Sequence, residues 1–224
     1  RGQSPKVLAS FMDGTKTMVE MAAVSNATGL VPDVPGMHGP EVELDDLTRI
    51  FVPKEDGGIL SRRGCVDFST GKIAPGVFAI VTHPDKRIRT DLHLTFSMGP
   101  GPYYLFLRPF HLCNIETPLA VARAVLHGQP TCVPQTMQSE VVAMAKRDLY
   151  AGQTVDDIGG PDFFGRIYTY ADAYDIGAIP IGVATGGQVL TAIAKGQPLT
   201  IKNFAPTSCA MSRMCSWAHQ RSQA

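Results

Sequence analysis

Three groups of residues in this chain combine reactive side chains at spacings that permit catalysis. The first is Ser10-Phe11-Met12-Asp13-Gly14-Thr15-Lys16-Thr17-Met18-Val19-Glu20-Met21, which the spacing predicts to be one helix. At about 3.6 residues per turn, Asp13, Lys16 and Glu20 fall within an arc of about 60°, an ionised stripe whose charges can perturb one another. Fully in water, Asp13 and Lys16 would be only an i,i+3 pair stabilising the helix by about 0.2–0.5 kcal/mol. Phe11, Met12, Met18, Val19, Met21 and Ala22 leave little polar surface for a helix in solvent, so part of the stripe is expected in a cleft.

The second group is Arg108-Pro109-Phe110-His111-Leu112-Cys113-Asn114-Ile115-Glu116-Thr117-Pro118. Thr117 suits an N-cap and Pro118 the first helical position, so an apolar helix is expected over residues 119–126, closed by Gly128. Its N-terminus, with Arg108 and His111, would suit an oxyanion or phosphate. Glu116 is a candidate for metal binding or proton transfer, although His111 and Glu116 could equally satisfy backbone groups at a strand-to-helix corner. The third group is spread over two loops. His38 sits among prolines and glycines that would hold it in place, while the adjacent Arg62 and Arg63 could grip a phosphate or simply be solvated.

The secondary structure expected around these residues comes from local pattern. Residues 25–29 favour caps and left-handed backbone and should end the first helix. A short helix is expected over 45–50, with Leu44, Leu47 and Ile50 on one face. Between 64 and 81 the pattern is strand, turn and a second, buried strand at 77–81. Alternation predicts a half-buried strand over 93–98 with His93 on its exposed side, then a turn and an apolar strand at 103–107. That turn, Gly99-Pro100-Gly101-Pro102, is not a dinucleotide loop: it lacks GxGxxG and opens no helix. Residues 130–139 resemble a linker. After it come a strand-like run at 141–145 and two similar phrases, at 146–155 and 194–200, each joining a lysine to a later Gly-Gln in the manner of turns in a small β domain. A short helix is expected over 211–218, docked by Trp217.

Composition narrows the function classes. With 224 residues, 44% hydrophobic and 18% charged, the chain can bury a core as one large or two small domains. Twenty basic and twenty acidic residues cancel, leaving no electrostatic case for nucleic acid or an anionic membrane. The five cysteines are odd in number and lack a CxxC spacing, which argues for reduced thiols in a cytoplasmic protein. The apolar runs fall well short of the ~20 residues a membrane helix needs.

The phrases FMDGTKTMVEMAAVSNATGLVPDVPGMHGP, GGILSRRG, IAPGVFAIVT, GPYYLFLRPFHLCNIETPLAVARAVLHG and VVAMAKRDLYAGQTVDDIGG resemble the C-terminal half of SAF-domain NAD(P)-dependent oxidoreductases. That family is homoserine dehydrogenase-like and includes enzymes similar to 1-deoxy-D-xylulose 5-phosphate reductoisomerase, which serve isoprenoid precursor synthesis. The resemblance implies an α+β chain. Residues 1–136 would be a substrate-binding, catalytic and oligomerisation region, 137–205 a small, mostly-β SAF domain of β-clip type, and 206–224 a tail. A Rossmann domain holding NADPH or NADH would precede it, so this chain alone should be inactive.

The same resemblance implies a ketose phosphate as substrate, with a divalent metal such as Mg or Mn, or alternatively hydride transfer to a semialdehyde without one. It makes Lys16 the proton-transferring or carbonyl-polarising group, with Asp13, Glu20, His38 and His111 beside it. Asp13, Glu20 and Glu116 are the implied metal ligands, and Arg108, Arg62 and Arg63 the phosphate-binding residues. A homo-oligomer is expected. SAF-type domains also occur as sugar- or peptide-binding modules, which keeps a non-catalytic reading open.

Overall fold

The computed structural model describes residues 4–71, 73 and 76–208. In chain order its elements are α1 (Pro5–Met12), α2 (Thr15–Thr28), β1 (Val31–Pro32), α3 (Leu47–Ile50), β2 (Cys65–Val66), β3 (Val77–Val81), α4 (Lys86–Leu94), β4 (Tyr104–Arg108), α5 (Cys113–His127), β5 (Ser139–Ala145), β6 (Phe163–Thr169), α6 (Tyr170–Asp175), β7 (Gln188–Val189) and β8 (Phe204–Ala205). The fold is α+β, with helices interspersed among small antiparallel sheets. Two compact units result, one made of Arg1–Gly36 with Pro134–Ala224 and the other of Met37–Val133. At Pro134 the chain returns to the unit that holds Arg1–Gly36. Among the described residues no helix is long and apolar enough to cross a membrane.

The first unit is built around β5. Its sequence, SEVVAMA, is buried at every position but Glu140, as a strand covered on both faces requires. β6 pairs with it antiparallel, from Ser139↔Thr169 to Ala145↔Phe163. The other edge is closed by backbone bonds: the Ala143 amide donates to the Ile179 carbonyl and the Leu199 amide to the Ala143 carbonyl, both at 2.9 Å. Helix α2 turns Thr15, Met18, Ala22 and Ser25 toward this core, one residue every three or four positions. It comes close because β6 carries Gly165 where they meet: a Cβ there would stand 2.8 Å from Val141 Cγ1 and 3.2 Å from Thr15 Cγ2. The two expected turns form alike. Gln153 N–H closes on the Tyr150 carbonyl at 3.0 Å and Gln197 N–H on the Ala194 carbonyl at 3.1 Å.

The single helix expected over 10–21 is broken. Gly14 adopts φ +83°, a left-handed conformation that ends α1 and starts α2. Asp13 supports the break, because its Oδ1 accepts the Thr15 amide at 2.9 Å, a local bond that competes with helix continuation.

In the second unit β3 and β4 form an antiparallel ladder, from Val77↔Arg108 to Val81↔Tyr104. The expected strand at 77–81 is present but not buried, with Val77 57% exposed. The expected short helix at 45–50 is found as a 3-10 turn leading into α3. Where alternation pointed to a strand at 93–98, the chain is finishing α4. Asp85 caps that helix by accepting the Arg87 amide at 2.8 Å, and this start signal lies upstream of the alternating run. Helix α5 also starts earlier than Thr117 suggests. It begins at Cys113, with the Ile115 and Glu116 amides donating to the Leu112 carbonyl at 2.8 and 2.9 Å, so that Pro118 lies inside it. Gly29 and Gly128 close α2 and α5 in left-handed conformations, as expected. The helix expected over 211–218 lies outside the described residues.

Candidate functional site

The break between α1 and α2 creates the site. Asp13, now at a helix end, meets Lys146, the residue immediately after β5. Its Oδ2 lies 2.6 Å from Lys146 Nζ, with the two side chains 16% and 20% exposed. Lys146 Nζ also donates to the Gly160 carbonyl at 2.7 Å, and its backbone N–H donates to the Asp162 carbonyl at 2.8 Å. Burial pushes the Asp13 carboxyl up, but the Lys146 ammonium and the Thr15 hydroxyl and amide outweigh it. The carboxyl is therefore held below the usual carboxylate range.

Thr15 fixes the start of α2 from the other side, where its Oγ1 accepts the Gly165 amide at 2.9 Å. One turn on, Lys16 Nζ pairs with Glu20 Oε1 at 2.6 Å and lies 4.8 Å from the centre of the Phe11 ring. The Lys16 side chain is a third exposed. The expected stripe is thus two pairs, Asp13 with Lys146 and Lys16 with Glu20. Sequence reasoning missed Lys146, for which a signal existed: a lysine directly after the apolar run Val141-Val142-Ala143-Met144-Ala145 must find its ammonium a partner.

The loop that receives Lys146 is itself held by charge. Arg147 Nη2 meets Asp162 Oδ1 at 2.7 Å, and the nearly buried Asp162 accepts the Asp156 amide at 2.8 Å through Oδ2. Lys6 of α1 reaches Asp156 at 3.0 Å.

The remaining sequence-derived residues belong to the second unit. The loop carrying His38 is gripped through its backbone by Asp67, which no sequence pattern singled out. One Asp67 oxygen accepts the amides of His38, Gly39 and Phe68 at 3.2, 3.0 and 2.8 Å. Burial nonetheless pushes the Asp67 carboxyl above its ordinary value, against those amides and the nearby His38. Arg108 is ion-paired with Glu116 in the first turn of α5. Arg63 pairs with Asp56 at 3.3 Å, and Asp56 also accepts the Tyr103 hydroxyl at 2.5 Å. Arg62 Nε donates to the Arg63 carbonyl at 3.5 Å, and His111 Nδ1 lies 3.6 Å from Cys113 Sγ on an exposed surface. Because α5 starts at Cys113, its N-terminus is not the expected anion site at Thr117.

These residues fit a divalent metal poorly. Asp13 and Glu20 are each closed on a lysine ammonium and Glu116 on a guanidinium, so a metal would have to displace a bound cation at each. Among the described residues no group of three or more His, Cys, Asp or Glu side chains could hold a metal ion.

Residues 1–117 match the family described as oxidoreductase DRL, catalytic domain. The chain belongs to that family. No curated protein matches the chain. The oxidoreductase DRL match includes Asp13, Lys16 and Glu20, and also His38, Arg62, Arg63, Arg108, His111 and Glu116. It stops before Lys146 and the rest of the strand pair against which α2 packs.

Proposed function

We propose that this oxidoreductase catalytic domain reduces the carbonyl of a small anionic substrate, with Lys16 polarising the carbonyl oxygen and supplying its proton. The observation that carries this reading is the Lys16 side chain, its ammonium held by Glu20 at 2.6 Å and the side chain a third exposed, within the segment that matches the catalytic domain. A nicotinamide cofactor, held by a dinucleotide-binding domain outside this chain, would supply the hydride. Glu20 orients the ammonium, and the Asp13–Lys146 pair holds the helix start from which Lys16 projects.

The resemblance to reductoisomerases makes a ketose phosphate the first substrate class to test, in a homo-oligomer whose C-terminal part is a SAF domain. A second reading has its own support. Carboxylates closed on lysines suit hydride transfer to a semialdehyde better than a rearrangement that depends on a metal. The deciding experiment is NADPH oxidation by the complete gene product, with 1-deoxy-D-xylulose 5-phosphate and aspartate semialdehyde in parallel, each with and without Mg or Mn. Metal-dependent turnover of the ketose phosphate alone supports the first reading, and metal-independent turnover of the semialdehyde alone the second. Turnover of neither would overturn both.

A further inference from the structure

We infer that Lys146, outside the segment that matches the catalytic domain, is a positioning residue of the reaction centre: it fixes the Asp13 carboxylate at the break between α1 and α2 and thereby sets where Lys16 stands. The inference rests on the reading of Lys16 given above.

Three observations carry it. The first is that Asp13 Oδ2 is buried and makes no hydrogen bond of good geometry among the described residues, so the close Lys146 ammonium is what compensates it. Removing that ammonium would leave a carboxylate oxygen facing protein with nothing to neutralise it. The second is that Lys146 is anchored at both ends. Its amide is bonded to Asp162, its ammonium to Gly160, and it comes directly after Ala145, which is wholly buried in the central strand. Ion-paired with a carboxylate, donating to a carbonyl and less exposed than Lys16, it is a poorer proton donor to a substrate.

The third observation is the short path from this pair to Lys16. Asp13 Oδ1 holds the Thr15 amide at 2.9 Å, Thr15 Oγ1 holds β6 through Gly165 at 2.9 Å, and Lys16 is the next residue. Two hydrogen bonds and one ion pair therefore tie the first turn of α2 to the β5–β6 pair. A shift of an ångström at a catalytic group can cost about a hundredfold in rate, so the anchor bears on turnover as well as on stability.

The test is a double-mutant cycle in the complete gene product, using Lys146→Met, Asp13→Asn and the double variant, with Lys146→Arg and Lys16→Ala alongside. Substrate-dependent NADPH oxidation and melting temperature are both measured. Lys146→Met is expected to lower kcat by about tenfold to a hundredfold while the KM for NADPH stays within about twofold. The double variant should be no slower than Asp13→Asn alone, because Lys146 acts through Asp13. Lys146→Arg, which keeps a cation at the position and guards against a variant that fails to fold, should recover most of the loss.

Additive effects on kcat, or a fall in melting temperature with kcat unchanged, would overturn the inference. Wild-type turnover in Lys16→Ala would instead overturn the reading of Lys16 while leaving the coupling of Asp13 and Lys146 to be judged by the cycle. If no carbonyl is turned over, the cycle is read from melting temperatures, and additivity there overturns the pairing itself.

Discussion

Asp13 in one unit and Asp67 in the other are both partly buried carboxylates that organise a loop, and they are stabilised by opposite means. Asp13 has one strong partner of opposite charge, Lys146, beside a single backbone amide. Asp67 gathers three amides on one oxygen, with His38 nearby. The outcomes diverge: Asp13 is held below the ordinary carboxylate range and Asp67 is pushed above it. Amides orient a carboxylate, but at Asp67 they do not offset its burial, whereas at Asp13 an ammonium together with the Thr15 hydroxyl and amide does. The first arrangement suits a group that must stay ionised at the start of a helix. The second suits one whose work is to shape a loop.

Several measurements put this contrast at risk. The largest effect is expected from Lys16→Ala, which should lower turnover of the complete enzyme by about a hundredfold or more with little change in the KM for cofactor. Wild-type turnover would remove the functional half of the contrast. Next, Asp13→Ala should destabilise the protein by about 2–3 kcal/mol in denaturant titration, because it strands the Lys146 ammonium. Asp67→Asn should cost under about 1 kcal/mol in the same measurement, since the amide oxygen still accepts the three N–H groups of a site that already favours a neutral side chain. A larger loss for Asp67→Asn than for Asp13→Ala would invert the comparison.

The smallest effect lies in acid titration. A carboxyl whose folded value is lowered stabilises the fold above its unfolded value, and Asp13's contribution is lost as pH falls through its folded value. Asp67 is raised, so its contribution is present below its unfolded value and lost as pH rises through the folded one. Carboxyl chemical shifts measured by NMR should place the Asp13 midpoint below about 3.9 and the Asp67 midpoint above it. The reverse order would refute the assignment of causes.

Some of this was legible in the sequence, and the boundary between what was and was not is physical. The apolar run Val141-Val142-Ala143-Met144-Ala145 announced the central strand, and the glycines at positions 29 and 128 marked helix ends because left-handed backbone is a local property. Lys16, Asp13 and Glu20 were visible as a charged cluster, but their partners were not. An i,i+3 spacing suggested Asp13 with Lys16, and the left-handed turn at Gly14 removed the helical register on which that pairing depended. Lys146 lies far along the chain, and only the packing of α2 against β5 and β6 brings it to Asp13. Asp67 was hidden for the same reason, since accepting amides from residues 38 and 39 leaves no periodic trace. Pro118 misled in the other direction: a residue favoured at a helix start was found inside one.

The return of the chain at Pro134 governs the order in which the protein can be made. Helix α2 is synthesised early, yet the strands that cover Met18 and Ala22 are synthesised only after the whole of Met37–Val133. At about 5–20 residues per second, the ribosome leaves that apolar face without its partner for several seconds. The inserted unit can begin folding in that interval, since its contacts are largely complete before Ser139 appears. A chain interrupted in the linker would therefore carry a permanently uncovered helix face, a species prone to aggregate or to engage a chaperone, and the last third of the sequence is what retires it.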